Sequence, residues 1–239
     1  MEHLYPGGKK KAFSISYDDG VLQDVRFVEL LNRYGIRGTF NLNSQLMEEG
    51  FSWTHPCGME IRRLTPEQAA TLYDGHEVAS HTLTHPYMQE LSDEELYRQM
   101  KADKDNLEKL FGREVRGFAV PFDYYDERIA ECARACGFAY ARKSEFTGSF
   151  RPCTDAYHWT ASIFHLDPGL TGFVEAFLNT DEELAVCQIL GHSYDLDTEN
   201  LWQTMEKIFA AVSKHDDIWF CTNGELADFW LANSRKMSP

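Results

Sequence analysis

Short apolar runs alternate with longer amphipathic segments along most of the chain. Residues 12–17 alternate apolar and polar side chains, which is typical of a strand with one buried face. In the segment that follows, apolar side chains recur at helical spacing at Phe27, Leu30, Leu31 and Tyr34. The same succession of a strand and a helix then recurs toward the C-terminus.

Eight strands are predicted from such patterns. They lie at residues 12–17, 38–42, 76–80, 115–120, 138–141, 159–164, 184–190 and 218–221. Capping-box patterns at residues 65–68 and 92–95 mark the beginnings of two intervening helices. Repeated strand-then-helix units predict an α/β protein with a parallel sheet. Seven or eight such units favour a distorted, TIM-like (β/α) barrel, with an open doubly wound sheet as the alternative.

We expect a single catalytic domain over residues 1–239. The chain is 43% hydrophobic and 26% charged, which is typical of a globular protein, and α/β barrels of this length routinely form one unit. The pattern contains no Pro/Gly-rich linker and no fixed-period repeat. One loop, residues 43–64, is long for a compact domain, and such loops are usually functional. We therefore expect it at the barrel mouth.

Net charge and composition limit the possible binding partners and the cellular compartment of the protein. Acidic residues number 38 against 23 basic ones, and a net charge of -15 repels phosphate backbones and anionic lipid. We therefore expect neither a nucleic acid nor a membrane as partner, while nothing in the pattern specifies an oligomeric state. The first residues lack the apolar region of a signal peptide, which predicts a cytoplasmic protein. Six cysteines in a chain of 239 residues do not reach the density of a disulfide scaffold.

Polar clusters follow four of the predicted strands. They are Asp18-Asp19-Gly20 after the first strand, His81 to His85 after the third, Pro121-Phe122-Asp123 after the fourth and Gly191-His192-Ser193 after the seventh. In a barrel, catalytic groups gather where strands end and the loops to the next helix begin. The four clusters are therefore expected at one mouth.

The residue types in these clusters suit a metal site. His81 and His85 are four residues apart, so on one helical turn both imidazoles can point at one ion. Asp18 and Asp19 repel each other unless a cation compensates their charge. One aspartate and two histidines leave a position for water, as in catalytic metal sites. The other aspartate can then act as a base, and His192 can act as an acid.

Each of these features also has a simpler interpretation. An Asp-Asp-Gly sequence is commonly a turn and helix cap, and a pair of histidines is often a polar helix face. Two histidines and a carboxylate also suit a non-haem iron oxygenase. The strand-helix alternation disfavours that class, because such enzymes use antiparallel jelly-roll barrels.

Over about residues 12–230 the chain resembles the polysaccharide deacetylases, carbohydrate esterase family four, with a nodulation-type chitooligosaccharide deacetylase domain. Residues 16–20 are similar to the first family motif, and residues 81–86 are similar to the second. The resemblance implies that Asp18 is the catalytic base. It also implies that Asp19, His81 and His85 bind the metal.

Two further motifs concern the substrate. Pro121-Phe122 is similar to the third motif, whose backbone N–H faces the oxyanion, and residues 190–192 are similar to the fifth. The resemblance implies that His192 is the catalytic acid beside an apolar acetyl pocket. Residues 157–159 are only loosely similar to the fourth motif. The predicted substrate contacts are Pro121, Phe122, Tyr124, Trp159 and Leu190.

The resemblance implies removal of N-acetyl groups from an amino-sugar oligosaccharide or polysaccharide. One divalent metal ion is implied, with Zn²⁺ favoured by the ligand set and Co²⁺, Ni²⁺ or Fe²⁺ also compatible. The family includes hydrolases of cyclic and other amides, so a non-sugar amide is an alternative substrate. An inactive carbohydrate-binding protein is the third possibility.

The chain departs from the family at the arginine that pairs with the catalytic aspartate in the third motif. Ala119 occupies the aligned position, and Arg116 would point to the opposite face of the strand. His158 is the candidate to replace that arginine. Asp155 is the candidate partner of His192.

Overall fold

The computed structural model describes residues 4–233, and strands alternate with helices through most of this range. The strands are β1 (Lys11–Asp18), β2 (Gly38–Leu42), β3 (Ser52–Thr54), β4 (Glu60–Arg62), β5 (Glu77–Ser80), β6 (Gly117–Ala119), β7 (Tyr140–Phe146), β8 (Trp159–Ala161), β9 (Ile163–Phe164), β10 (Ala185–His192) and β11 (Ile218–Phe220). The helices are α1 (Asp24–Arg33), α2 (Ser44–Glu48), α3 (Pro66–Leu72), α4 (Asp93–Phe111), α5 (Glu127–Ala135), α6 (Leu170–Asn179), α7 (Asp195–Thr198), α8 (Trp202–Val212) and α9 (Asn223–Asn233). All eight strands expected from the sequence are present.

The large sheet is parallel and curls into a nearly closed barrel. Its strand order is β8-β7-β6-β5-β2-β1-β10-β9, with β11 paired to β1. The two ends of this order, β8 and β9, are separated in the chain only by Ser162, whose N–H donates to the carbonyl of Gln188 at 3.0 Å. Counted as one interrupted strand, β8 and β9 bring the barrel to eight parallel strands. The predicted distorted barrel is confirmed, and the open sheet is wrong.

Distortion of the barrel is concentrated at β1. This strand pairs with β10 along its whole length, from Lys11 opposite Ala185 to Asp18 opposite His192. On its other edge the first half pairs with β11 and the second half pairs with β2. The eighth strand is therefore inserted at one end only, and seven strands surround the end where Asp18 lies.

Alternate residues of β1 have different surroundings. Phe13, Ile15 and Tyr17 are buried in the main apolar core, and the ring of Tyr17 stacks on Phe27 of α1 with centroids 4.1 Å apart. Burial of a large apolar side chain such as Phe27 contributes about 1.5–3 kcal/mol to stability. This layer between the sheet and the helices fixes the direction of β1.

The other face of β1 is polar. Ser14 donates to Asn223 at 2.9 Å, and Ser16 accepts from Asn223 at 3.0 Å and from Asn41 at 3.1 Å. A buried polar group costs little when its hydrogen bonds are satisfied, so this network is compatible with the core. The same alternation places Asp18 at the end of the polar row, at the mouth.

The long loop at residues 43–64 contains α2 and an antiparallel hairpin formed by β3 and β4. In the hairpin Trp53 pairs with Ile61, and the Trp53 ring lies edge-on to Tyr194 with centroids 5.4 Å apart. Contact with Tyr194 places the loop beside the mouth, as expected.

Helix ends follow the capping patterns read from the sequence. Thr65 and Gln68 form a reciprocal capping box at α3, and Ser92 accepts from the N–H of Glu95 at 3.2 Å at α4. Gly112 ends α4 in the left-handed conformation, with φ 63°. None of the helices within residues 4–233 combines the length and apolar character that crossing a bilayer requires.

Candidate active site

A cavity of about 310 Å³ opens at the mouth of the barrel. Parallel pairing of β1 with β10 sets Asp18 opposite His192, and the loop after β5 brings His81 and His85 to the same cavity. The four polar clusters expected at one mouth therefore meet there. The lining residues are Asp18, Asp19, His81, His85, Val120, Phe122, Asp123, Ser144, Phe146, Phe164, Leu190, His192 and Tyr194.

Asp19, His81 and His85 converge on one point. Oδ1 of Asp19 lies 4.0 Å from Nε2 of His81 and 3.7 Å from Nε2 of His85. His81 Nδ1 lies 2.9 Å from the carbonyl of Ala119, which can only accept, so Nδ1 carries the proton and Nε2 presents a lone pair. Within the described residues, the buried Oδ1 of Asp19 accepts no well-aligned hydrogen bond, and its nearest cation is the guanidinium of Arg63, 2.9 Å away. This donor set fits a divalent metal ion, which would satisfy that oxygen.

The two histidines do not share a helical turn, so that part of the prediction is wrong. Residues 81–85 form a loop, in which Thr82 and His85 are left-handed with φ 69° and φ 54°. Asn43 donates to the carbonyl of Thr82 at 2.9 Å, and the N–H of His85 donates to the Thr82 hydroxyl at 3.1 Å. The left-handed residues prevent a continuous helix, and these hydrogen bonds stabilise the loop conformation in its place.

Asp18 has different neighbours from Asp19. The buried guanidinium of Arg142 contacts Oδ1 of Asp18 through Nη2, and Asn41 donates to the same oxygen at 2.7 Å. Burial raises the pKa of the Asp18 carboxyl, but the charges of Arg142, His81 and His192 and the hydrogen bond from Arg142 together outweigh this effect and hold the pKa below its usual value. Asp18 is therefore ionised at neutral pH.

The arginine missing from the third motif is supplied by the adjacent strand. Ala119 on β6 is the direct register partner of Arg142 on β7, so the guanidinium reaches Asp18 from one strand further round the barrel. The expectation that His158 replaces the arginine is wrong, because His158 pairs with Asp155 at 3.0 Å. Arg116 is also engaged elsewhere, in a surface ion pair with α9.

His192 is held by Asp195 and not, as expected, by Asp155. Its Nδ1 lies 3.0 Å from Oδ2 of Asp195, which also accepts from Nε2 of His165 at 2.9 Å. The hydroxyl of Tyr17 donates to Nδ1 of His165 at 2.7 Å. Asp155 does not hold His192, because its carboxylate accepts from the N–H of Tyr157 in the exposed loop before β8.

The charges around His192 determine its protonation. Burial alone would lower the pKa of its imidazole, but the hydrogen bond to Asp195 and the charges of Asp19 and Asp18 raise the pKa to about 9. His192 is therefore a cation at neutral pH. The mouth thus contains one carboxylate held ionised and one imidazole held protonated, and these are the states of a base and an acid.

The predicted substrate contacts separate into two groups. Phe122 and Leu190 line the cavity, and the half-exposed ring of Phe122 stacks on Tyr87 with centroids 4.1 Å apart. Tyr124 is exposed outside the lining and donates to Asp126. The other two predicted contacts, Pro121 and Trp159, are buried.

Trp159 is a core residue, so its prediction as a substrate contact is wrong. It is 2% exposed, and its indole N–H donates to Gln188 in the barrel interior at 2.7 Å. Three other aromatic residues, which no sequence pattern singled out, line the cavity instead. They are Phe146, Phe164 and Tyr194.

The barrel and its mouth define an α/β protein whose site lies at the carboxyl ends of parallel strands. A family model described as polysaccharide deacetylase matches residues 6–141, which is more than half of the chain. The protein belongs to the polysaccharide deacetylase family. No match was found among curated proteins.

Solved structures share the fold at low sequence identity. A candidate polysaccharide deacetylase from Mycobacterium smegmatis is 14% identical with a TM-score of 0.71, over 100% of this chain and 96% of that one. The peptidoglycan deacetylase PdaC from Bacillus subtilis is 16% identical with a TM-score of 0.62, over 96% and 98% of the two chains. A pseudoenzyme of the CE4 family from Bacillus anthracis is 19% identical with a TM-score of 0.59, over 94% and 67%.

Proposed function

We propose that this protein is a metal-dependent deacetylase that removes N-acetyl groups from an amino-sugar oligosaccharide or polysaccharide. One observation carries the proposal. Asp18 and His192 are register partners on adjacent strands, each with its own ionic partner, and they line the same cavity as the Asp19-His81-His85 trio. A protein that only binds carbohydrate has no need for an ionised base and a protonated acid at this spacing.

The trio would hold the metal through Oδ1 of Asp19 and the Nε2 atoms of the two histidines. The ion would polarise the acyl carbonyl and lower the pKa of a water molecule. Zn²⁺ suits two imidazoles and one carboxylate, and Co²⁺, Ni²⁺ and Fe²⁺ also bind such ligands.

Asp18 acts as the general base in this proposal. Arg142 and Asn41 both contact its Oδ1, so within the described residues Oδ2 remains without a hydrogen-bond partner. Oδ2 can therefore accept the proton of the attacking water. The buried ion pair with Arg142 keeps the carboxylate from rotating away from that position.

His192 acts as the general acid. Asp195 accepts from its Nδ1, which leaves Nε2 to donate a proton to the departing amine. Amide cleavage requires this step, because without the proton the nitrogen would have to leave as a strongly basic amide anion. The raised pKa of His192 keeps the proton available at neutral pH.

The cavity walls fit a small acyl group beside a sugar ring. Leu190, Phe146 and Phe164 provide an apolar wall that can contact an acetyl methyl group. The exposed face of Phe122 can stack on a sugar ring at the rim.

The proposal is tested with purified protein stripped of metal by a chelator and reloaded with Zn²⁺. We expect acetate release from N-acetylglucosamine oligomers, its loss on chelation and its recovery on reloading. A parallel panel of non-sugar and cyclic amides distinguishes the alternative substrate class. Metal-loaded protein that releases no acetate from any N-acetylated sugar would contradict the proposal.

A further inference from the structure

Residues 62–64, which begin with the last residue of β4, are bound to the turn that carries Asp19. The N–H of Leu22 donates to the carbonyl of Arg62, and the N–H of Leu64 donates to the carbonyl of Gly20, both at 2.9 Å. Asp19 itself is left-handed, with φ 89°, which is unfavourable for a residue with a side chain. The 62–64 segment therefore stabilises the conformation that presents Asp19 to the cavity.

Arg63 is the centre of this contact. Its Nη1 donates to the backbone carbonyl of Asp19 and lies 2.9 Å from Oδ1 of the Asp19 carboxylate. The side chain is 4% exposed, and Trp53 of the hairpin covers it with the guanidinium carbon 5.2 Å from the ring centroid. A guanidinium stays protonated in proteins, so Arg63 is a fixed positive charge that cannot move far.

Oδ1 is also the Asp19 oxygen that lies nearest to His81 and His85. An ion held by these three residues would therefore share its only carboxylate ligand atom with the guanidinium. Among the described residues, Asp19 is the one carboxylate that forms an ion pair with Arg63. Like charges a few ångströms apart in a buried environment repel strongly.

We propose that Arg63 sets the metal affinity of this site: it holds Asp19 in place as a ligand and, as a fixed competing cation, weakens the binding of a divalent ion. The inference rests on the proposed metal-dependent function. A weakly held ion exchanges with its surroundings, so the active fraction of the protein would follow the supply of metal. Arg63 would thus lower the affinity of the site for the metal while keeping Asp19 in the position of a ligand.

The test is the dissociation constant for Zn²⁺, measured in competition with a chelating dye, for wild type and three variants. Arg63→Gln removes the charge, and we expect it to bind Zn²⁺ more tightly by about tenfold or more. Arg63→Lys keeps a positive charge and should gain much less. Arg62→Gln is the matched control, because Arg62 is 60% exposed, pairs with Glu60 and should leave the affinity unchanged.

Two outcomes would overturn the inference. One is an Arg63→Gln protein that binds Zn²⁺ as weakly as wild type or more weakly. The other is an equal gain in the lysine and glutamine variants, which would assign the effect to geometry. Circular dichroism checks folding, and Arg63→Met carries the same expectation if the glutamine variant does not fold. Asp19→Ala separates the two hypotheses, since equal Zn²⁺ binding by wild type and Asp19→Ala would refute the metal site itself.

Discussion

Arg142 pairs with Asp18 from the strand position directly beside Ala119, the position at which the family resemblance led us to expect an arginine. The ion pair is fully buried, and the side chain of Arg142 is 0% exposed. An arginine on either of two neighbouring strands can therefore pair with the same carboxylate. The contact is a property of the barrel wall and not of one motif.

Replacing Arg142 should impair turnover more than substrate binding. Arg142→Ala leaves Asp18 buried without its cation and free to rotate, and misplacing a catalytic group by an ångström can cost about 100-fold in rate. We expect the loss in kcat, with KM little changed, in steady-state kinetics. Adding Ala119→Arg to this variant should recover part of kcat, since it returns an arginine to the adjacent strand. A double variant no faster than Arg142→Ala would contradict this role.

Asp18 and Asp19 should differ in what their loss removes. Asp18→Asn should keep the metal and lose about 10²–10⁴-fold in turnover, because it removes only the base. Asp19→Ala should lose metal and activity together. Metal content and kcat of the two proteins, measured side by side, check this. The assignment is wrong if Asp18→Asn is as poor in metal as Asp19→Ala.

The alkaline limb of the pH profile should report His192. Its imidazole must be protonated to act as an acid, so kcat/KM should fall as the pH rises through the pKa of about 9. Asp195→Asn removes the charge that favours the cation and should move this limb to lower pH by about one unit or more. Asp197→Asn, two residues along in α7 and exposed, is the matched control. Identical limbs in all three proteins would argue against His192 as the acid.

His76 should make stability depend on pH far from the site. Its Nδ1 accepts from the N–H of Gly38 at 3.1 Å, and burial lowers the pKa of the imidazole to about 4. In the unfolded chain the imidazole of His76 binds a proton near pH 6.5, whereas in the folded protein it does so only near pH 4. The contribution of neutral His76 to the free energy of unfolding is therefore complete above pH 6.5 and declines as the pH falls toward 4. The loss amounts to about 3 kcal/mol in the free energy of unfolding. Urea unfolding at several pH values should show a shallower decline for His76→Gln than for wild type.

The strands were predictable because their signal is local. Alternation along β1 separates Phe13 and Tyr17 from Ser14 and Ser16, and the structure uses that separation to divide apolar core from polar interior. The hairpin β3–β4 lacked such a signal, since each strand has three residues that are mostly exposed. Its register depends on the turn it contacts, which no local pattern reveals.

The partners of the proposed catalytic groups were harder to predict than the groups themselves. Arg142 follows the strand predicted at 138–141 by one residue, and its pairing with Asp18 exists only through the register of four intervening strand contacts. Asp195 stands three residues after His192, a spacing that the sequence displays. A search for carboxylates at that distance from the histidine could have found it.

Pairing of β1 with β10 has a consequence for biosynthesis. Asp18 leaves the ribosome well before its register partner His192, because strands β2 to β9 lie between the two strands that contain these residues. Contacts between distant parts of a chain form slowly, because closing a long loop costs entropy before the contact repays it. The half of the cavity that contains Asp18, Asp19 and the two histidines is therefore completed only after β10 has been synthesised. A chain arrested before β10 would expose the edge of β1, with Asp19, His81 and His85 already synthesised and His192 not yet translated.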